Sequence, residues 1–216
     1  MIEFLIQCKK SISIPLLFCI SYIGYSQKDF VVQYQHYMDV SAEKPFQKHG
    51  QKILLGGLIV KGDSITYYRL AHKPKDLTDT LDIFSQKSNH ATIKNLNQPY
   101  YFSVSSLLNF HYLIKEEDSV KWAITDEKML ILKIPCTKAI SENKIAWFAP
   151  SIPIKSGPMN FFGLPGLILC AYDSKYNMLY EATKILNISP PITSSGDIQI
   201  VTFEEFKSLY MKNNSK

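Results

Sequence analysis

Apolar and polar residues alternate with period two along most of this chain, and that pattern predicts strands. Phe30, Val32, Tyr34, His36 and Met38 fall on one face of an opening strand, with Gln33 and Gln35 on the other. Ile53 to Val60 predicts a second strand, whose Gly56-Gly57 pair suggests a bulge or a sharp bend. Gly62-Asp63 turns the chain into Ile65 to Leu70. Tyr100 to Val104 and Phe110 to Ile114 follow, and the acidic run Glu116-Glu117-Asp118 reads as a hairpin turn into Val120 to Ile124. Met129 to Ala139 and Ile145 to Phe148 flank a polar turn at Ser141-Glu142-Asn143. Leu167 to Tyr172 and Met178 to Ile185 flank another at Asp173-Ser174-Lys175. Strands joined by short polar turns imply an antiparallel meander.

Two segments depart from this period. Asp76 to Gln86 is a candidate helix whose apolar residues fit neither period well. The C-terminal segment reads more clearly: Thr202 with Glu205 makes a capping box, and Phe206, Leu209 and Tyr210 fall on one helical face. Such a helix is expected to lie across the sheet. Asn187 to Gly196, with Pro190-Pro191, reads as an extended connector. The predicted fold is therefore mainly β within the α+β class: a curved antiparallel sheet, resembling an open half-barrel, with a C-terminal helix packed on it.

One stretch is denser in conformational signals than the rest. Pro150 to Gly166 links two strands yet holds Pro150, Pro153, Gly157, Pro158, Gly163, Pro165 and Gly166. Loops of this length are uncommon in compact domains and are usually functional or disordered. Ile152, Ile154, Phe161, Phe162 and Leu164 are apolar enough to need burial, so an ordered loop packed against the sheet is expected. At its end runs Gly163-Leu164-Pro165-Gly166-Leu167-Ile168-Leu169. Pro165 and Gly166 suit the central positions of a type II turn, with positive φ at Gly166. Gly163 then suits a close backbone approach, and Leu167 to Leu169 a strand covered on both faces.

Composition adds a compartment and removes some functions. Lys9 and Lys10 precede a short apolar run, Ile12 to Tyr25, and Gly24 and Ser26 stand at the small-residue positions before a cut near Ser26/Gln27. Residues 1–26 are thus read as a signal peptide and 27–216 as one β-rich domain, placing the protein in the periplasm or otherwise outside the cytoplasm. The net charge of +5 is spread without clusters, and Arg69 is the only arginine. Guanidinium forks are the usual tool of phosphate and base recognition, so no nucleic-acid partner is expected. Beyond the signal only Cys136 and Cys170 remain, which permits one disulfide if their strands are neighbours and two buried thiols otherwise.

The run from Cys136 through Lys138-Ala139, Ala146-Trp147-Phe148, Ile152-Pro153, Gly157-Pro158 and Phe161 to Gly163–Leu169 resembles the signature of the GLPGLI family. The Gly62-Asp63-Ser64 turn and Trp122 fit the same pattern. Resemblance implies an exported protein of an envelope-bearing bacterium, in a family with no established activity. Cys170 departs from the pattern, which has a polar or acidic residue after the last leucine. A Cys136–Cys170 bridge would then be peculiar to this chain.

No catalytic constellation is visible, and neither a cofactor nor a metal is expected. There is no Gly-x-Ser-x-Gly elbow, no His-Glu-x-x-His helix and no phosphate-cradling loop before a helix. His36, His49, His72, His90 and His111 are scattered without metal-ligand spacing. The expectation is a non-catalytic binding or accessory module for an apolar ligand or an envelope protein such as an outer-membrane receptor. Its candidate surface is the loop with Trp147, Phe148, Ile152, Phe161 and Phe162. Two alternatives stand beside it: a thiol enzyme centred on Cys136, with Lys138 on the same strand face, and a purely structural envelope protein.

Overall fold

The alternating segments become strands, and the strands become one sheet. The computed structural model describes residues 29–41, 43, 45–47, 50–70, 80–84, 88–107, 110–194 and 196–214. The segment read as a signal peptide, His49, His72 and most of the candidate helix at Asp76 to Gln86 lie outside the described residues. The first meander is β1 (Phe30–Met38), β2 (Gln51–Lys61), β3 (Ser64–Leu70), the short β4 (Leu81–Asp82), β5 (Ser88–Asn95), β6 (Tyr100–Leu107) and β7 (Phe110–Glu117). The second is β8 (Ala123–Ile131), β9 (Ile134–Ile140), β10 (Lys144–Ala149), β11 (Leu167–Asp173) and β12 (Met178–Leu186). Two short strands, β13 (Ile192–Thr193) and β14 (Ile198–Thr202), and the helix α1 (Phe203–Asn214) complete the order.

Twelve strands form a single curved, open sheet in the order β14-β7-β6-β5-β3-β2-β1-β12-β11-β10-β9-β8. Strand β1 stands between β2 and β12, so the chain's opening strand joins the two meanders side by side. Every pairing in this sheet is antiparallel except β14 on β7. Strands β4 and β13 pair separately, in parallel.

Four local expectations change. Met129 to Ala139 is not one strand but part of a hairpin, turning at Leu132-Lys133 with φ of 52° and 65°. Positive φ at both central positions suits Asn-Gly far better than Leu-Lys, so the turn carried no sequence signal. The acidic run is not a hairpin turn either: Glu116 and Glu117 end β7, and β8 begins only at Ala123 and pairs with β9 at the opposite edge of the sheet. Gly56 and Gly57 do not form the bulge themselves: the register slips just before them, between Gln35 and Tyr37 of β1. The glycines make room for rings. A Cβ on Gly56 would strike the Tyr67 hydroxyl, and one on Gly57 the Tyr68 ring. Finally, the connector at Asn187 to Gly196 contains β13 and leads into β14, which the polar period-two reading passed over.

Burial divides the sheet's two faces. On one face Val32, Tyr34, Leu58, Val60, Ile65 and Tyr67 join the residues of the long loop in the larger core. On the other, Val31, Ile59, Tyr68 and Ala91 pack under Ile83 and Phe84. Helix α1 is capped as the sequence implies: the Thr202 amide donates to Glu205 Oε2 at 2.7 Å, and the Glu205 amide to Thr202 Oγ1 at 3.3 Å. It packs on the β7–β14 edge through Phe206 against Tyr112, while Tyr210 stays 51% exposed, so it does not cross the sheet.

The two motif glycines exchange the roles expected of them. Gly163 has the positive φ, 87°, and a Cβ there would make only ordinary contact with the Trp122 ring at 3.9 Å. Gly166 makes the close approach: its Cβ would lie 2.7 Å from the Ala149 carbonyl carbon and collide with the oxygen. Neighbouring backbone cannot move aside as a side-chain tip can, so Gly166→Ala is expected to destabilise the protein by about 2–3 kcal/mol. Urea unfolding at constant m-value checks this, and a loss below about 0.5 kcal/mol would show that the approach is relieved by small shifts.

Candidate functional site

The loop between β10 and β11 fills the sheet's inner face, and its apolar residues are core. Ile154, Phe161, Phe162 and Leu164 are each 1–2% exposed. Backbone bonds tie both ends: the Leu167 amide donates to Ile152 O and the Ile168 amide to Ser156 O, each at 2.9 Å. Leu169 is the extra residue of a bulge, since Cys170 pairs with Trp147 but Ile168 with Phe148. Beside that bulge the Tyr34 hydroxyl reaches across β12 to donate to Ile168 O at 2.6 Å.

The loop's tip is clamped by cations and rings from distant strands. Lys144 Nζ donates to Asn160 O at 3.1 Å and Oδ1 at 2.8 Å, and lies 4.6 Å from the centre of the Phe161 ring. Lys94 Nζ stands 4.9 Å from the centre of the Phe162 ring while pairing with Asp118 at 2.9 Å. Trp122 Nε1 donates to Phe162 O at 2.7 Å, and Thr92 Oγ1 to Met159 O at 3.0 Å. Burial lowers the pKa of Lys144, against the upward pull of Asp173, Asp118 and Glu116. Strands β5 and β10, one from each meander, and Trp122 just before β8 therefore hold one loop, and the sheet curls around it.

Next to the tip the packing opens into a cleft of about 490 Å³, lined among others by Arg69, Tyr101, Glu116, Asn160, Asp173 and Tyr180. Met38, Met159 and Met178 give it an apolar side. Both carboxylates already have local partners. Glu116 accepts from the Tyr101 hydroxyl at 3.0 Å and from Ser103 Oγ, while Asp173 accepts from the Lys175 amide at 2.9 Å. Arg69 does not: its Nε is buried and meets no protein acceptor, and among the described residues no carboxylate is within salt-bridge distance. Gly56 sits directly opposite it on β2. Behind Arg69, the fully buried His36 pairs through Nε2 with the Tyr67 hydroxyl and stacks edge-on to Tyr180 at 4.9 Å. Burial, then the Arg69 charge, push the His36 pKa down to about 3, so the imidazole is neutral.

The surface expected from the sequence is not a surface. Trp147 and Phe148 are 6% and 2% exposed, Phe161 and Phe162 1% each, and Ile152 packs against the same core. Their side chains are what hold the loop down, so none of the first four presents a face to a partner. Gly163 to Leu169 form the corner that feeds β11, whose residues are all buried. Of the two alternatives for the cysteines, the disulfide does not form: Cys136 and Cys170 are separate, buried thiols. They lie on β9 and β11 with β10 between, which separates such residues by about 9–10 Å, beyond the ~7 Å a bridge tolerates. Cys136 Sγ donates to Ile134 O at 3.4 Å, and burial pushes its pKa up to about 11, so the thiolate needed for attack is disfavoured.

Sequence reasoning noticed Arg69 only as the chain's single arginine. The missed signal was its position: Ile65, Tyr67 and Arg69 alternate onto one face, so a charge stands where the pattern demands an inward residue. Tyr101, Glu116, Asn160 and Asp173 come from four separate elements and could not be grouped from spacing.

Residues 125–170 match a family model described as a protein of unknown function (Porph_ging). The matched segment runs from β8 into β11 and so spans the loop and Lys144, but not Lys94, Thr92 and Trp122 of the clamp, nor the cleft's β3, β5 and β6 wall. No curated protein matches. Among solved structures, two crystal forms of PNGF-II are similar in fold, with TM-scores of 0.58 and 0.59 at 14% identity. Each likeness covers 86% of this chain and 33% of that one, so this chain spans about a third of the length of those proteins. At that identity the likeness concerns the β-rich fold alone. Among the described residues, no helix is long and apolar enough to cross a membrane, and no group of three or more His, Cys, Asp or Glu could hold a metal ion.

Proposed function

We propose that this chain is an exported, non-catalytic binding module of the GLPGLI kind, and that it takes a small amphiphilic ligand in the cleft beside the loop tip. The observation that carries the reading is the cleft itself. Its volume of about 490 Å³ falls within the ~300–1,000 Å³ of small-molecule sites, and it combines an apolar methionine side with a few converging polar groups. Export rests on the basic and apolar leader before Gln27 and on the signature from Cys136 to Leu169. An apolar partner seated on the loop would need Phe161 and Phe162 drawn out of the core, which favours the cleft over the loop.

Three methionines make the test direct. In the purified chain with ¹³C-labelled methionine methyls, octanoate, octanol and octyl phosphate are titrated separately. At least one is expected to shift the signals of Met38, Met159 and Met178 while leaving Met129 and Met211 in place. If none of the three moves them at millimolar concentration, the cleft is not a binding site for amphiphiles and the reading falls.

A further inference from the structure

Building on the cleft as a ligand site, we propose that Arg69 anchors the carboxylate of an organic acid whose apolar body lies along Met38, Met159 and Met178. The argument starts from an imbalance. A guanidinium is always charged, and taking it partly out of water is unfavourable unless acceptors replace the lost hydration. Arg69 is partly buried, its Nε is fully enclosed without a protein acceptor, and no carboxylate pairs with it among the described residues. Two acids line the same cleft, yet both are held elsewhere. Glu116 is tied to Tyr101 and Ser103, and Asp173 caps its own turn through the Lys175 amide.

The surroundings preserve that charge instead of neutralising it. His36, buried behind Arg69, is neutral and satisfied only through Tyr67. Gly56, across from Arg69 on β2, offers no side chain to cover it. A guanidinium presents a planar fork of donors that fits a carboxylate with two parallel bonds. The nearby Met38, Met159 and Met178 supply soft, adaptable apolar contact, which suits a flexible chain better than a second charged group. Acid head and apolar body are therefore both provided for in the one cleft.

Octanoate, octanol and octyl phosphate are compared on the purified wild type, Arg69→Met and Arg69→Lys, with binding read by calorimetry and by the methionine methyl shifts. Octanoate is expected to bind wild type at least about tenfold more tightly than octanol. Arg69→Met should lose that preference, and Arg69→Lys should recover part of it, because a lysine keeps the charge without the fork. Unchanged thermal midpoints in both variants separate loss of the anchor from loss of the fold. Arg69→Lys carries the test if Arg69→Met does not fold. If octanol binds as tightly as octanoate, or Arg69→Met binds octanoate as wild type does, the anchor is wrong while the cleft remains a site. Octyl phosphate binding more tightly than octanoate would overturn the carboxylate assignment in favour of a phosphate head.

Discussion

Phe161→Ala is expected to destabilise this protein by about 3–5 kcal/mol, as removal of a buried aromatic ring does when its surroundings cannot collapse. Phe161 is 1% exposed and stands between Trp122, Tyr180 and the Lys144 ammonium, at 6.1, 6.0 and 4.6 Å from its ring centre. Lys144 is the critical neighbour. It is buried, and without the ring its charge would face a void. Lys155→Ala, on an exposed position of the same loop, should change stability by no more than about 0.5 kcal/mol. Chemical denaturation of both variants at neutral pH makes the comparison. A loss near 1 kcal/mol for Phe161→Ala would mean that the loop rests on the sheet as a removable cover and not as core. In that case the loop would again become a candidate contact surface.

This result would also explain why the loop could be recognised in the sequence but misread. Its aromatic and branched residues announced burial, and the proline and glycine density announced order. What the sequence could not show was the identity of the surface receiving them. Lys94 and Lys144 look like solvated lysines in one dimension, and only the curl of the sheet brings them over Phe162 and Phe161. The motif glycines show the same limit. Pro165-Gly166 suits a type II turn by local rules, yet Gly166 is fixed by a backbone carbonyl seventeen positions earlier, at Ala149. Local conformational rules identified which residues were constrained, while the partner imposing each constraint was long-range.

Strand assignment divides along the same line. Segments with alternating large apolar residues, such as β1 and β3, were legible because burial of one face writes itself into composition. Strand β14 is exposed at four of its five positions, so no buried face was available to mark it. Leu132-Lys133 turns a hairpin with residues that resist positive φ, and the pairing of β8 with β9 has to hold it there. The cleft was least legible of all, because its polar groups are scattered over β3, β6, β7, the loop and β11. An inward-pointing arginine was the one trace it left.

Behind that arginine lies a buried histidine, and the pair gives the protein a distinctive acid response. His36 is fully buried, and its pKa falls from about 6.5 in the unfolded chain to about 3 in the folded one. Between those values the unfolded state binds more protons than the folded state, so stability rises with pH there and is lost as pH falls. The groups facing the imidazole are Arg69, Tyr67 and Tyr180; none is an acid that could stabilise an imidazolium. By pH 4 the loss from this group should be about 3 kcal/mol, levelling off near pH 3. His36→Gln keeps a polar partner for Tyr67 but does not titrate. Its stability at pH 7.5 will be lower than wild type, yet its change between pH 7.5 and pH 4 should be smaller than wild type's by that same ~3 kcal/mol. Carboxylates such as Glu116 and Asp173 titrate in both proteins, so the difference isolates the histidine. Equal pH slopes for the two proteins in urea titrations would mean that His36 gains access to water when protonated, and that its burial is not sealed.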